Sequence, residues 1–112
     1  MYSDHSSAAV AAALYLTAST ALAATTPTYK GSVGPGFTIT LAKKPKKAGK
    51  IKLVVADKSD FHNFHLQGPG VNVKTSVPAT GSKTFTVTLK KGTYRFVCDP
   101  HASSMKGSFK VT

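Results

Sequence analysis

The 112-residue chain has one cysteine, Cys98, and only four acidic residues against 15 basic ones. A single cysteine excludes an internal disulfide, a four-cysteine zinc site and any metal centre that needs two thiolates. No segment shows helical periodicity after residue 27, and no apolar run is long enough to cross a bilayer comfortably. The shortage of acids leaves a formal charge of +11, which favours encounter with anionic partners or surfaces. Five of the lysines lie in Lys43-Lys-Pro-Lys-Lys-Ala-Gly-Lys50. Such a run can contact nucleic acid, but no aromatic residue is interleaved for base stacking. It reads as a solvated turn between strands, and no nucleic-acid partner is expected.

The first 23 residues differ in composition from the rest. From Ala8 to Ala24 the chain is mostly Ala, Leu and Val, and Ala21-Leu22-Ala23 precedes Ala24 as small residues precede a signal-peptidase cut. Met1-Tyr-Ser-Asp-His-Ser lacks the usual basic residues, and an alanine-rich helix of the domain itself is the alternative. The expectation is a leader over 1–23 and one domain over 24–112, working as a monomer in a periplasmic or secreted setting. The leader is either cleaved or kept as a membrane anchor, and no stable membrane insertion is expected after cleavage. A lone exposed thiol would be a liability in an oxidising compartment, whereas a metal-bound one would not.

Beyond residue 27 apolar residues alternate with polar ones. Phe37, Ile39 and Leu41 form one such set, and Ile51, Leu53 and Val55 another. Val71, Val73, Thr75 and Val77 continue the pattern, followed by Phe85, Val87 and Leu89, then Tyr94, Phe96 and Cys98, and finally Phe109 and Val111. Period-two alternation marks half-buried strands. Turn chemistry separates them at Gly34-Pro-Gly36, Gly68-Pro-Gly70, Pro78-Ala-Thr-Gly81 and Lys90-Lys-Gly92. With strands near Tyr29–Val33 and from Phe61 to Leu66, about eight are expected. The fold class is all-β, an antiparallel β-sandwich.

Cys98, His101 and Met105 fall within eight residues. The alternation puts Cys98 at a strand end, facing inward, and Asp99-Pro100 breaks the strand before His101 and Met105. A fourth donor must come from a neighbouring strand, and Asp60-Phe-His62-Asn-Phe-His65-Leu66 offers two. His62 shares its face with Phe64 and Leu66, so parity makes it the inward ligand and leaves His65 as an exposed imidazole. Two imidazoles, a thiolate and a distant thioether describe a mononuclear type 1 blue-copper site. Thiolate and thioether favour Cu(I), while imidazole accommodates Cu(II).

These residues also carry a family resemblance. Thr93-Tyr-Arg-Phe-Val-Cys98-Asp-Pro-His101 and Met105-Lys-Gly107-Ser-Phe-Lys-Val111 resemble the copper loop of the plastocyanins, and His62-Asn63-Phe64-His65-Leu66 resembles the His-Asn-x-His-Phe stretch of the amicyanins. The resemblance implies a Greek-key cupredoxin with copper held by His62, Cys98, His101 and Met105. It implies that Asn63 hydrogen-bonds across to the backbone of the Cys98 loop, fixing the ligands. It also implies an electron port at the His101 ring edge within an apolar patch, for which Ala102 and the Pro35 and Pro69 turns are the candidates. Three residues separate His101 from Met105, where plastocyanins have four and amicyanins two. The acidic docking surface of plant plastocyanins is absent, so no photosynthetic partner is inferred.

The expected function is one-electron shuttling between extracytoplasmic redox partner proteins, with an anionic docking surface on the partner. Copper storage or delivery is the alternative. A Cys98–His101 nucleophilic enzyme would need a cleft and an oxyanion stabiliser, and the chain offers no clear set, so no enzyme is expected.

Overall fold

Eight strands form where the apolar alternation runs. The computed structural model describes residues 25–112; the expected leader over 1–23 and its boundary at residue 24 lie outside the described residues. The strands are β1 (Thr28–Val33), β2 (Ile39–Leu41), β3 (Gly49–Asp57), β4 (His65–Gly68), β5 (Val71–Lys74), β6 (Gly81–Leu89), β7 (Gly92–Val97) and β8 (Lys106–Val111). One short 3-10 turn, Asp99–His101, separates β7 from β8.

The strands make two four-stranded sheets, in the orders β2-β1-β3-β6 and β5-β4-β7-β8. Pairing is antiparallel except between β1 and β3, which run parallel. Their facing surfaces bury Val33, Leu53, Val55 and Leu89 from the first sheet and Leu66, Tyr94, Phe96 and Val111 from the second. Burying each large apolar side chain contributes about 1.5–3 kcal/mol before the entropy of ordering it is counted. Two aromatic pairs stack within this layer: Phe64 on Phe96 at 5.6 Å and Tyr94 on Phe109 at 5.2 Å. The Tyr94 hydroxyl, at the edge of the core, donates to Pro69 O and accepts from Lys90 N, each at 2.8 Å. Opposite Phe96 on β8 stands Gly107, where any Cβ would run into the Phe96 ring.

The register defines the two ends of the sandwich. One end gathers the close of β3 at Asp57, the start of β4, the end of β7 and the loop over 34–38. The other gathers the entry of the chain before Thr28, the β2–β3 turn, the β4–β5 turn and the Lys90-Lys91 turn. β3 and β6 each span nine residues, so the ends are about 26 Å apart at roughly 3.3 Å per residue.

Three strands differ from the sequence expectation. Phe37 lies outside β2, 62% exposed in the loop before it. β5 ends at Lys74, because Thr75 turns back to bond Phe64. The segment expected as a strand from Phe61 to Leu66 pairs only from His65 onward, since residues 58–64 cross between the sheets and find no ladder partner on the way.

Candidate metal centre

The β7–β8 ladder sets the first two elements of the site. Its register pairs Val97 with Lys106, and one step further the Cys98 amide donates to the Met105 carbonyl at 3.0 Å. Cys98 is therefore the last residue held by the sheet, and Met105 sits directly across from it; both side chains are buried. Between them Pro100 starts the 3-10 turn. The amide of His101 donates to Cys98 O at 3.0 Å, and that of Met105 donates to His101 O at 2.8 Å. These bonds fold the loop back so that the His101 imidazole points toward the thiol of Cys98.

The crossover between β3 and β4 supplies His62, which is fully buried. Its position depends on Gly34, whose backbone has φ +75° and where an added Cβ would lie 2.9 Å from Ser59 Cβ and 3.4 Å from His62 Cδ2. His62 Nδ1 lies 3.2 Å from His101 Nδ1, and the two stand 3.7 and 3.6 Å from Cys98 Sγ. Donor separations of this size are spanned by one ion with bonds of about 2.0–2.3 Å to nitrogen and sulfur. Three lone pairs converge there from a thiol and two imidazoles, the donor set of a site that takes both copper oxidation states. With an ion held at each Nδ1, hydrogen would reside on each Nε2; His62 Nε2 is buried without a hydrogen-bond partner among the described residues.

Hydrogen bonds from the crossover grip the Cys98 loop. The Asn63 amide N–H donates to Cys98 Sγ at 3.5 Å. Its side-chain oxygen accepts from Asp99 N at 2.7 Å, while its Nδ2 donates to Asp99 Oδ2 at 2.8 Å and Thr75 O at 3.2 Å. His65 is buried rather than exposed: its Nδ1 donates to Asp99 Oδ1 at 2.8 Å, and its Nε2 lies 2.6 Å from Asn72 Oδ1. Face parity failed for His65 because residues 61–64 are not a strand, so alternation does not carry from one histidine to the other.

Two carboxyl groups near the site are shifted in opposite directions. Burial is the largest influence on Asp99 and pushes it up, but hydrogen bonds from His65 and Asn63 and the nearby positive charges outweigh it and hold the group below its ordinary value. Burial dominates at Asp57 and raises it, opposed by the Ser59 amide and the charge of His62. One Asp57 oxygen accepts from Ser59 N at 3.1 Å; the other is buried without a hydrogen-bond partner among the described residues.

The surface over the site is aromatic. Phe37 and Phe61, 62% and 47% exposed, flank the histidines. The Phe37 ring centroid lies 5.0 Å from that of His101 and 5.1 Å from that of His62, and Phe61 lies 4.3 Å from His62. Pro35 and Ala102 are exposed at the same end. Pro69 is not part of this patch: it belongs to the opposite end, against Gly92. Sequence reasoning missed Phe37 and Phe61 as surface groups, and it missed Asp99, Asn72 and Thr75 as partners. The usable signals were two phenylalanines in turn-rich loops and an acid placed between Cys98 and His101.

Residues 6–111 match the cupredoxin-like domain. The chain belongs to the cupredoxin-like family. A search of curated proteins returned no match. Among solved structures it is similar to a reduced rusticyanin, at 20% identity and a TM-score of 0.58, with 81% of this chain and 82% of that one covered. It is also similar to a dithionite-reduced auracyanin from the photosynthetic bacterium Roseiflexus castenholzii, at 21% identity and a TM-score of 0.54, covering 80% of this chain and 99% of that one. At such identities these likenesses speak for the fold. Family membership and the convergent donors of this cupredoxin together make copper its cofactor.

Proposed function

We propose that this cupredoxin is a type 1 copper protein that carries single electrons between redox partner proteins outside the cytoplasm. His62, Cys98 and His101 would hold the ion through nitrogen and sulfur, with the Met105 thioether as a weaker fourth donor. The observation that carries the reading is the triangle of two Nδ1 atoms and one Sγ with edges of 3.2–3.7 Å, buried beneath an exposed aromatic rim. Bound copper would supply one-electron chemistry by cycling between Cu(II) and Cu(I).

The chain's part is to keep the donors in one arrangement and to give the electron a way out. The Cys98 loop is closed by backbone bonds at both ends and held by Asn63 and Asp99, so the donors stay in place when charge changes. Phe37 and Phe61 exclude water from the buried thiolate. The half-buried His101 ring edge, lying between them, is the port through which a partner docked on the apolar rim exchanges electrons. The exposed Lys58, Lys74 and Lys106 at the copper end suit a partner with an acidic surround. An enzymatic role for Cys98 is disfavoured because its side chain has no exposed surface for a substrate to reach. The alanine-rich stretch before residue 24 supports an exported protein with residues 1–23 as leader, cleaved or kept as an anchor.

Electron exchange and copper retention test this function together. The copper-loaded protein should exchange electrons rapidly with a soluble redox partner while keeping its copper against a mild chelator. Slow exchange with ready loss of copper would favour storage or delivery instead.

A further inference from the structure

Charge in this protein is polarised along the strands. All three acidic residues among the described ones, Asp57, Asp60 and Asp99, lie at the copper end, where the exposed Lys58, Lys74, Lys83 and Lys106 leave the balance close to neutral. At the opposite end Lys43, Lys44, Lys46, Lys47 and Lys50 are all exposed and rim a depression of about 540 Å³ floored by Pro27, Tyr29 and Ile51. Lys90 and Lys91 extend this surface, with the Lys90 ammonium beside the Gly70 turn. Pro45 is fully buried within the lysine run, so the turn that carries these charges is fixed to the sandwich.

We propose that the lysine end docks on an anionic phospholipid surface and holds the copper end away from the bilayer. Distance rules out the simplest other use, steering a redox partner to the copper. The ends are about 26 Å apart, several times the screening length of about 8 Å at physiological salt. A partner bound at the lysines would also stand far from His101. Arg95 is the only arginine among the 15 basic residues, so the end carries compact point charges rather than groups built for bidentate recognition. Such charges suit a surface of many mobile headgroups.

The chain path points to lipid as well. Pro27 O accepts from Lys52 N, and β1 starts at Thr28, so the polypeptide enters the fold at the lysine end. The sequence shortly before that entry, Ala8 to Ala24, is mostly Ala, Leu and Val. An apolar segment and a polybasic patch joined at one place are the two signals that together give stable membrane attachment, where one alone gives only marginal binding.

The full chain should partition into vesicles of equal parts phosphatidylcholine and phosphatidylglycerol much more strongly than into phosphatidylcholine alone, and rising salt should erase the difference. Replacing Lys43, Lys44, Lys46 and Lys47 together by Gln should weaken binding to the anionic vesicles on the order of a thousandfold. The same four positions as Arg should retain binding, with unchanged thermal unfolding of both variants as the control on folding. Equal partitioning into both vesicle types, or wild-type binding by the glutamine variant, would overturn the proposal. So would a glutamine variant that keeps lipid binding but loses association with an acidic protein or a nucleic acid. Bound, copper-loaded protein should react with an uncharged soluble redox mediator as fast as free protein. Strong slowing on the vesicle would overturn the orientation.

Discussion

His65 Nδ1 stands 2.8 Å from Asp99 Oδ1, and through this contact the first residue of β4 holds the residue that follows Cys98. Asn63 holds the same aspartate by its backbone amide and its other oxygen. The Cys98 loop is thus fastened to the crossover and to β4 at three points on one residue. Its geometry depends on side chains that do not touch the metal.

That fastening separates the roles of the two histidines. His65→Ala should keep a blue site but shift its absorption, because the Cys98 loop loses one of its restraints. Stability should fall by about 1–3 kcal/mol, the usual loss for a hydrogen bond to a charged group, as read by denaturant unfolding. His62→Ala should abolish the blue colour altogether. An unshifted, fully stable His65→Ala protein would show that the Asp99 contact carries no constraint.

Acid should loosen the same network. The folded-state value of Asp99 is held down, so its contribution to stability is complete above the unfolded value of about 3.9 and is lost as pH falls through the lower folded value. The metal-free protein should therefore lose stability in that acidic window, and Asp99→Asn should flatten this part of the curve. Asp57 acts with the opposite sign: its folded value is raised, so its ionisation costs stability as pH rises from the unfolded value through the folded one. Asp57→Asn keeps an oxygen for Ser59 N and should raise the unfolding midpoint at neutral pH.

The aromatic rim should govern rate and leave the electronic structure alone. Phe37→Ser and Phe61→Ser remove apolar docking surface beside His101 while leaving every donor in place. Stopped-flow electron exchange should slow by about tenfold or more for the double variant, the scale expected from losing about 1.4 kcal/mol or more of docking or transition-state stabilisation. The visible spectrum should stay as it was. A shifted spectrum with an unchanged rate would mean that the rings shape the site and do not form the port.

Much of this was legible in the residues. Alternation found the strands that are buried on one face, because one-sided burial is what period two records. Cys98, Tyr94 and Phe96 face inward as their parity requires. The sequence pattern could not reveal the crossover at 58–64, where no β-ladder forms and faces no longer alternate. His65 and Phe37 were misplaced for that kind of reason: each lies at or beyond a strand end, where tertiary contacts decide direction. The parallel pairing of β1 with β3 was equally invisible, since alternation carries no information on strand direction. Asp99 read as a strand breaker beside Pro100, and its hydrogen bonds become apparent only once Asn63 and His65 are brought across from 34 and more residues away.

The central claim is that two Nδ1 atoms and the Cys98 sulfur share one copper ion. Titrating the reduced, metal-free protein with Cu(II) under optical and EPR detection tests it most directly. One equivalent should produce an intense thiolate-to-copper charge-transfer band and a small parallel hyperfine splitting, both lost in Cys98→Ser. A nearly colourless protein with the wide splitting of square-planar Cu(II), or a Cys98→Ser variant that remains blue, would contradict the account.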